Sequence, residues 1–155
     1  MFAPIGQDMP YWVIVGNNPV NFVDPLGLDV TVTLYPGAGG FGHVGVGVNT
    51  TNTRGFYPDP DSSPLRTTTG QDVNGTTLPD TRAPIDSITI TTTSDQDAAM
   101  QKAIENRTQN PGTYNLFSRN CAGFVNDVLD AGGIHCPDTI LPRELMDDLK
   151  KGRCK

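Results

Sequence analysis

Strict alternation with a period of two constrains this chain most, and it is confined to the middle of the sequence. "DVTVTLY" (29–35) alternates polar and apolar residues, "HVGVGVN" (43–49) alternates Val with Gly, and "DSITITTT" (86–93) alternates again. Each run has the length and β-branched content of a strand, and "RGFYP" (54–58) reads as a returning hairpin partner for 43–49. Between them, residues 58 to 84 are rich in Pro, Asp, Thr and Gly and read as a long surface loop. Loops of that length inside compact domains are often functional.

Beyond residue 93 the pattern turns helical. Ser94, with Asp97 three residues on, forms a capping-box signal for a helix running to about Asn106, and Asn110-Pro111-Gly112 breaks it. A second helix is expected from Asn120 or Cys121 to Ala131, with Phe124, Val125, Val128 and Leu129 on one face and Gly132-Gly133 as its stop. Pro142 fits the first turn of a third helix that ends before Gly152. Strands come first and helices after, with no strand–helix–strand alternation. This order predicts an α+β fold with an antiparallel sheet packed with helices.

At 155 residues the chain suits one domain with a real core. No apolar run is long enough to predict a transmembrane segment. No basic region precedes an apolar stretch at the N-terminus, so export is expected to depend on something attached to the chain. A net charge of −6 argues against nucleic acid as a partner, which calls for clustered Lys and Arg. Only Lys150, Lys151, Arg153 and Lys155 cluster, and they read most simply as cations complementing a helix C-terminus. Of the three cysteines, Cys136 and Cys154 bracket the last helix and can pair in an oxidising compartment, leaving Cys121 over. Neither Cys-x-x-Cys nor His-x-x-x-His spacing occurs, so no metal is expected, and nothing calls for a cofactor.

Cys121 stands at the expected start of an amphipathic helix in "NLFSRNCAGFVNDVL". Free backbone N–H groups and the positive end of the helix dipole favour a thiolate there, and Arg119 adds positive charge. The same N–H groups suit a developing oxyanion. A cysteine nucleophile needs a base, and the chain has two histidines. His43 opens a strand between Gly42 and Gly45, where another group can approach closely. His135 lies beyond the Gly-Gly stop and reads as structural. The simpler alternatives are a surface histidine in a Gly-rich turn and a buried cysteine behaving as a small hydrophobe.

"GHVGVGVN" with "GFYP", followed later by "YNLFSRNCAGFVNDVLDAGGI", resembles the circularly permuted papain-like family, which includes permuted NlpC-type peptidases and lecithin–retinol acyltransferase-like enzymes. In that family a histidine leads a strand and the cysteine follows at a helix N-terminus. The resemblance implies that Cys121 attacks a carbonyl to form a thioester, with His43 as base and then acid. A third polar residue would orient His43: Asn49, Asp59 and Asp61 are candidates, with Asp59 preferred because it follows the partner strand. The Cys121 N–H, helped by Asn120 or Ser118, would form the oxyanion site. Asn120 also reads as a plain helix cap and Asp59 as a turn residue.

A second resemblance lies at the front. "YWVIVGNNPVNFVDPLGL" (11–28) is similar to the end of the Rhs repeat core, a large shell that cuts itself after an Asp-Pro-x-Gly-Leu motif to free a variable C-terminal toxin. It implies a boundary, with residues 1–28 a terminal remnant of the shell and 29–155 a toxin domain. The shell or a secretion apparatus of type VI kind would deliver that domain into a target bacterium, at the periplasm or membrane surface. A cognate immunity protein would block it.

Together these readings point to a cysteine hydrolase or acyltransferase acting on an ester or amide. They narrowly favour phospholipid acyl esters over peptidoglycan stem peptides or protein amides. A nuclease toxin would need a basic groove and clustered histidines, and a pore-forming module would need long apolar segments.

Overall fold

The computed structural model describes residues 28–37 and 40–155. The Asp24-Pro25-Leu26-Gly27 portion of the shell-end motif, and the remnant it would close, lie outside the described residues. The chain from Asp29 onward is α+β, with one antiparallel sheet of six strands. These are β1 (Asp29–Tyr35), β2 (His43–Val48), β3 (Arg54–Pro58), β4 (Val73–Pro79), β5 (Asp86–Thr91) and β6 (Thr113–Tyr114). They lie in the order β5-β1-β2-β3-β4-β6. Four helices are described: α1 (Pro64–Thr68), α2 (Ser94–Gln109), α3 (Cys121–Ala131) and α4 (Pro142–Lys150).

The alternating runs become the centre of the sheet because their apolar residues fall in register. Val30 stands opposite Val48, Val32 opposite Val46, and Leu34 opposite Val44. All six are buried, and they join Phe56 with Met100, Phe124, Val125, Leu129 and Leu145 in one core. Burying a side chain of this size stabilises the fold by roughly 2 kcal/mol. Helix α3 carries the widest apolar stripe and packs across β2 and β3, against α2 on one side and α4 on the other. That places its N-terminus near the start of β2. Among the described residues, no helix is long and apolar enough to cross a membrane.

The expected long loop at 58–84 is mostly ordered structure: α1 and β4 both lie inside it. Strand β4 pairs with β3 through five register positions, from Arg54 opposite Pro79 to Pro58 opposite Gly75. The backbone ladder holds this strand although Asn74, Gly75 and Pro79 dilute its sequence pattern.

Candidate active site

Cys121 is the first residue of α3, and Asn120 is its N-cap. The Asn120 Oδ1 accepts from the N–H groups of Ala122 and Gly123, and its Nδ2 donates to the carbonyls of Leu116 (3.0 Å) and Ile140 (2.8 Å). These bonds anchor the helix start to two loops and occupy the side-chain amide at both ends. Asn120 therefore works as a cap and cross-brace, and has no free donor to offer an oxyanion. Phe124 N–H is taken by the Asn120 carbonyl. This leaves the Cys121 N–H as the first-turn donor that helix and cap do not satisfy. Ser118 is exposed and lines a different groove beside Gly123 and Asn126, away from the thiol. The structure thus places Asn120, expected beside the oxyanion, in the helix cap, and Ser118 in a separate groove.

His43 opens β2 and is buried, and it lines the same cleft as Cys121, whose sulfur acts on the charge of its imidazole. Its Nε2 lies 2.9 Å from Asp80 Oδ1, and a carboxylate there can only accept. Nε2 therefore carries the hydrogen, and Nδ1 is the nitrogen left for the thiol. The Asp80 side chain is 1% exposed, so its charge must be matched by donors. Three are present: His43, Tyr57 Oη at 2.5 Å to the same Oδ1, and Thr53 Oγ1 at 2.7 Å to Oδ2. The Asp80 N–H also donates to the Thr53 carbonyl at 3.0 Å, and Tyr35 Oη lies 2.7 Å from Thr53 Oγ1.

Burial works against a charged imidazole, but the hydrogen bonds to Asp80 and Cys121 outweigh it and push the His43 pKa up to about 9. Burial likewise opposes ionised Asp80, yet the donors His43, Tyr57 and Thr53 hold its carboxyl below the usual range. Burial and the Asp80 carboxylate push the Tyr57 phenol up, so it stays a hydrogen donor. At neutral pH His43 is therefore an imidazolium, held between the Asp80 carboxylate and the Cys121 sulfur.

Asp59, the expected third member, is displaced by Asp80. Its Oδ1 accepts from the Asp61 N–H at 2.9 Å, the short-range turn bond that Asp favours, and it lines a polar groove with Asp61 and Ser63. Asn49 adopts a positive φ of 58° and caps the end of β2 through Oδ1 to the Asp29 N–H. Asp61 stays in the Asp59 turn. Asp80, Tyr57 and Thr53 escaped the sequence reading because Asp80 follows β4, which the sequence disguised as loop. A signal was present in two glycines, Gly45 in "HVGVGV" and Gly55 in "RGFYP". A Cβ at Gly55 would collide with His43 Nε2, and one at Gly45 with Asp80 Oδ2. The strands are bare where the pair crosses them.

Cys121 and His43 lie at the base of a cleft of about 200 Å³. Its walls are mostly apolar: Phe56, Tyr114 and Leu116 line the interior, while Phe41, Phe117 and Leu141 are partly exposed toward the mouth. Arg82 is the one cation besides His43 in this lining, and it donates to the Pro36 carbonyl at 2.7 Å. Cys136 and Cys154 form a disulfide, so Cys121 is the free cysteine. Among the described residues, no cluster of three or more His, Cys, Asp or Glu could hold a metal ion. Compared with family models, curated proteins and solved structures, the chain matches none.

Proposed function

We propose that the chain is an antibacterial effector toxin whose domain from residue 29 onward is a circularly permuted papain-like cysteine hydrolase or acyltransferase. The observation that carries the enzymatic part is one juxtaposition. A free cysteine at a helix N-terminus stands within reach of a buried histidine backed by a carboxylate, at the base of an apolar cleft. Cys121 Sγ, its proton passed to His43 Nδ1, adds to the carbonyl carbon of an ester or amide. The oxyanion forms against the Cys121 N–H, and His43 passes its proton to the departing alcohol or amine. Water, or a second acceptor, then displaces the thioester with His43 as base. Asp80 holds the imidazole in the required tautomer and balances its charge through both steps.

The apolar walls favour an acyl chain over a polar peptide stem, so phospholipid acyl esters lead among substrates. Delivery by a shell, and block by an immunity protein, rest on the resemblance at residues 11–28. The test is expression in a bacterium, wild type against Cys121→Ala, with mass spectrometry of lipids and of peptidoglycan fragments. Lysophospholipid that accumulates only with the wild type supports the lipid reading, and cut stem peptides move the substrate to an amide. A Cys121→Ala variant that stays fully toxic overturns the hydrolase altogether.

A further inference from the structure

His43 and Asp80 would suffice for a bare Cys–His–Asp arrangement, yet a third side chain touches both. The Tyr57 ring stacks on the His43 imidazole with centroids 4.3 Å apart and planes 21° from parallel. Its hydroxyl donates at 2.5 Å to Asp80 Oδ1, the same oxygen that accepts the Nε2 hydrogen at 2.9 Å. One residue therefore fixes the plane of the base and competes for the atom that holds the base's proton. Strand β3 allows this because Tyr57 and Gly55 share a face, and the missing side chain at Gly55 leaves room for the imidazole. On the far oxygen, Thr53 is itself anchored to Tyr35, so the carboxylate cannot swing to escape the competition.

We propose that Tyr57 is a positioning residue for His43: its ring sets the imidazole plane facing Cys121, and its hydroxyl limits how strongly Asp80, bonded to Nε2–H, holds the ring in its charged form. The inference rests on the cysteine-hydrolase reading and adds a tuning element to it. A general acid–base group works best when its working proton, here the one on Nδ1, is neither held nor lost too firmly, and a carboxylate on Nε2–H tightens that hold by stabilising the imidazolium. Asp80, buried and ionised, would otherwise turn the whole hydrogen-bonding capacity of Oδ1 to the imidazolium. A phenol sharing that oxygen takes part of that capacity, and the pair becomes a shared three-centre contact. The ionisable groups near His43 are Cys121 on α3, Asp80 and Arg82 after β4, Tyr57 on β3 and Tyr35 on β1.

The test needs no substrate. The chain has two histidines, so a His135→Gln background isolates the His43 ring signals in an NMR titration of the full chain. With Cys136 and Cys154 paired, iodoacetamide labels Cys121 alone. Tyr57→Phe keeps the stack and removes the donor. Its His43 midpoint should move above the wild-type value by about half a pH unit, while Asp80→Asn moves it down. Tyr57→Leu removes the stack as well, and alkylation of Cys121 at neutral pH should slow about tenfold.

A folded Tyr57→Phe variant whose His43 midpoint coincides with wild type, or falls below it, overturns the proposal. Tyr57→Phe preserves the ring, so it keeps the question answerable if Tyr57→Leu does not fold. A wild-type His43 that titrates at an ordinary imidazole value, with an unreactive Cys121, removes the hydrolase reading and this inference together. A raised wild-type midpoint that Tyr57→Phe leaves unmoved removes the inference alone.

Discussion

At the scale of single residues, Asp80 reaches His43 because two positions beside the pair carry no side chain. Gly55 faces the imidazole and Gly45 faces the carboxylate, each too close for a methyl group. Backbone atoms cannot retreat from a well-packed sheet, so an added carbon must push the His43–Asp80 contact apart. Gly55→Ala should therefore lower Cys121 alkylation at neutral pH by more than about tenfold and destabilise the fold by about 1–3 kcal/mol. Comparing the alkylation rate with a urea melt measures both. An unchanged rate in a folded Gly55→Ala variant would remove the clearance role of this strand.

The His43 charge also sets how stability depends on pH. Its folded value of about 9 lies above the ordinary 6.5, so the native state binds the proton more tightly than the unfolded chain. The resulting stabilisation is complete below pH 6.5 and is lost as the pH rises toward 9. Its size is roughly 3 kcal/mol. Urea melts at pH 6 and pH 9.5 should differ in that direction, and the difference should shrink in His43→Asn. Equal stability across the window would place the His43 proton elsewhere.

At the scale of elements, the start of α3 is where fold and chemistry meet. Asn120 takes two first-turn N–H groups and ties the helix to the Leu116 and Ile140 carbonyls. Removing an Asn cap costs about 1 kcal/mol, and two stranded carbonyls add a further 1–3 kcal/mol. Asn120→Ala should lose stability of that order. Asn120→Asp, which keeps the cap acceptor but not the donors, should recover only part of it. A full recovery would mean that the braces to Leu116 and Ile140 contribute nothing.

The same helix shows what was legible in the sequence. Its bounds, its apolar face and the Cys121 position followed from the Asn cap, the 3.6-residue period and the Gly-Gly stop. The three long alternating runs likewise became β1, β2 and β5, each placed by its own periodicity. Helix α2 was shifted by one residue because Thr93 and Gln96, not Ser94 and Asp97, form the reciprocal cap. Asp97 is instead buried and bonded to the Thr92 hydroxyl. The helix runs on to Gln109 because Pro111 constrains only the residue before it. The basic tail complements more than a dipole: Lys150 pairs with Asp86 on β5, Lys151 with Asp147, and Arg153 with Asp147 and Asp148. What remained illegible was β4, whose stability comes from pairing with β3 and whose end carries Asp80. A residue supplied by tertiary pairing leaves no local pattern to read, and that is why Asp59 stood in its place.

At the scale of the whole molecule, two closures decide how far the fold can be trimmed. The first is the Cys136–Cys154 disulfide, which encloses α4 and the Ile140–Leu141–Pro142 wall of the cleft. A loop of this length, with a separation of 18 residues, gains about 3 kcal/mol from the cross-link. Cys136→Ser with Cys154→Ser should lower stability by that order in a urea melt, while leaving Cys121 in place on α3.

The second closure is at the front of β1, and it turns the seam read at residue 28 into a measurement. Every β1 pairing begins at Asp29: Asp29 stands opposite Thr91 on one side and Val30 opposite Val48 on the other. The preceding residue contributes one backbone bond, from Thr92 N–H to the Leu28 carbonyl at 3.1 Å. A chain beginning at Leu28 keeps all of these bonds and, if the seam is a boundary, should fold and keep its Cys121 reactivity. A chain beginning at Asp29 also loses the Leu28 hydrogen bond, worth about 1 kcal/mol, and should melt about 4 °C below the chain beginning at Leu28, with the same alkylation rate. If both shortened chains are unfolded by circular dichroism, residues 1–27 belong to this domain's fold and Leu28 is no boundary.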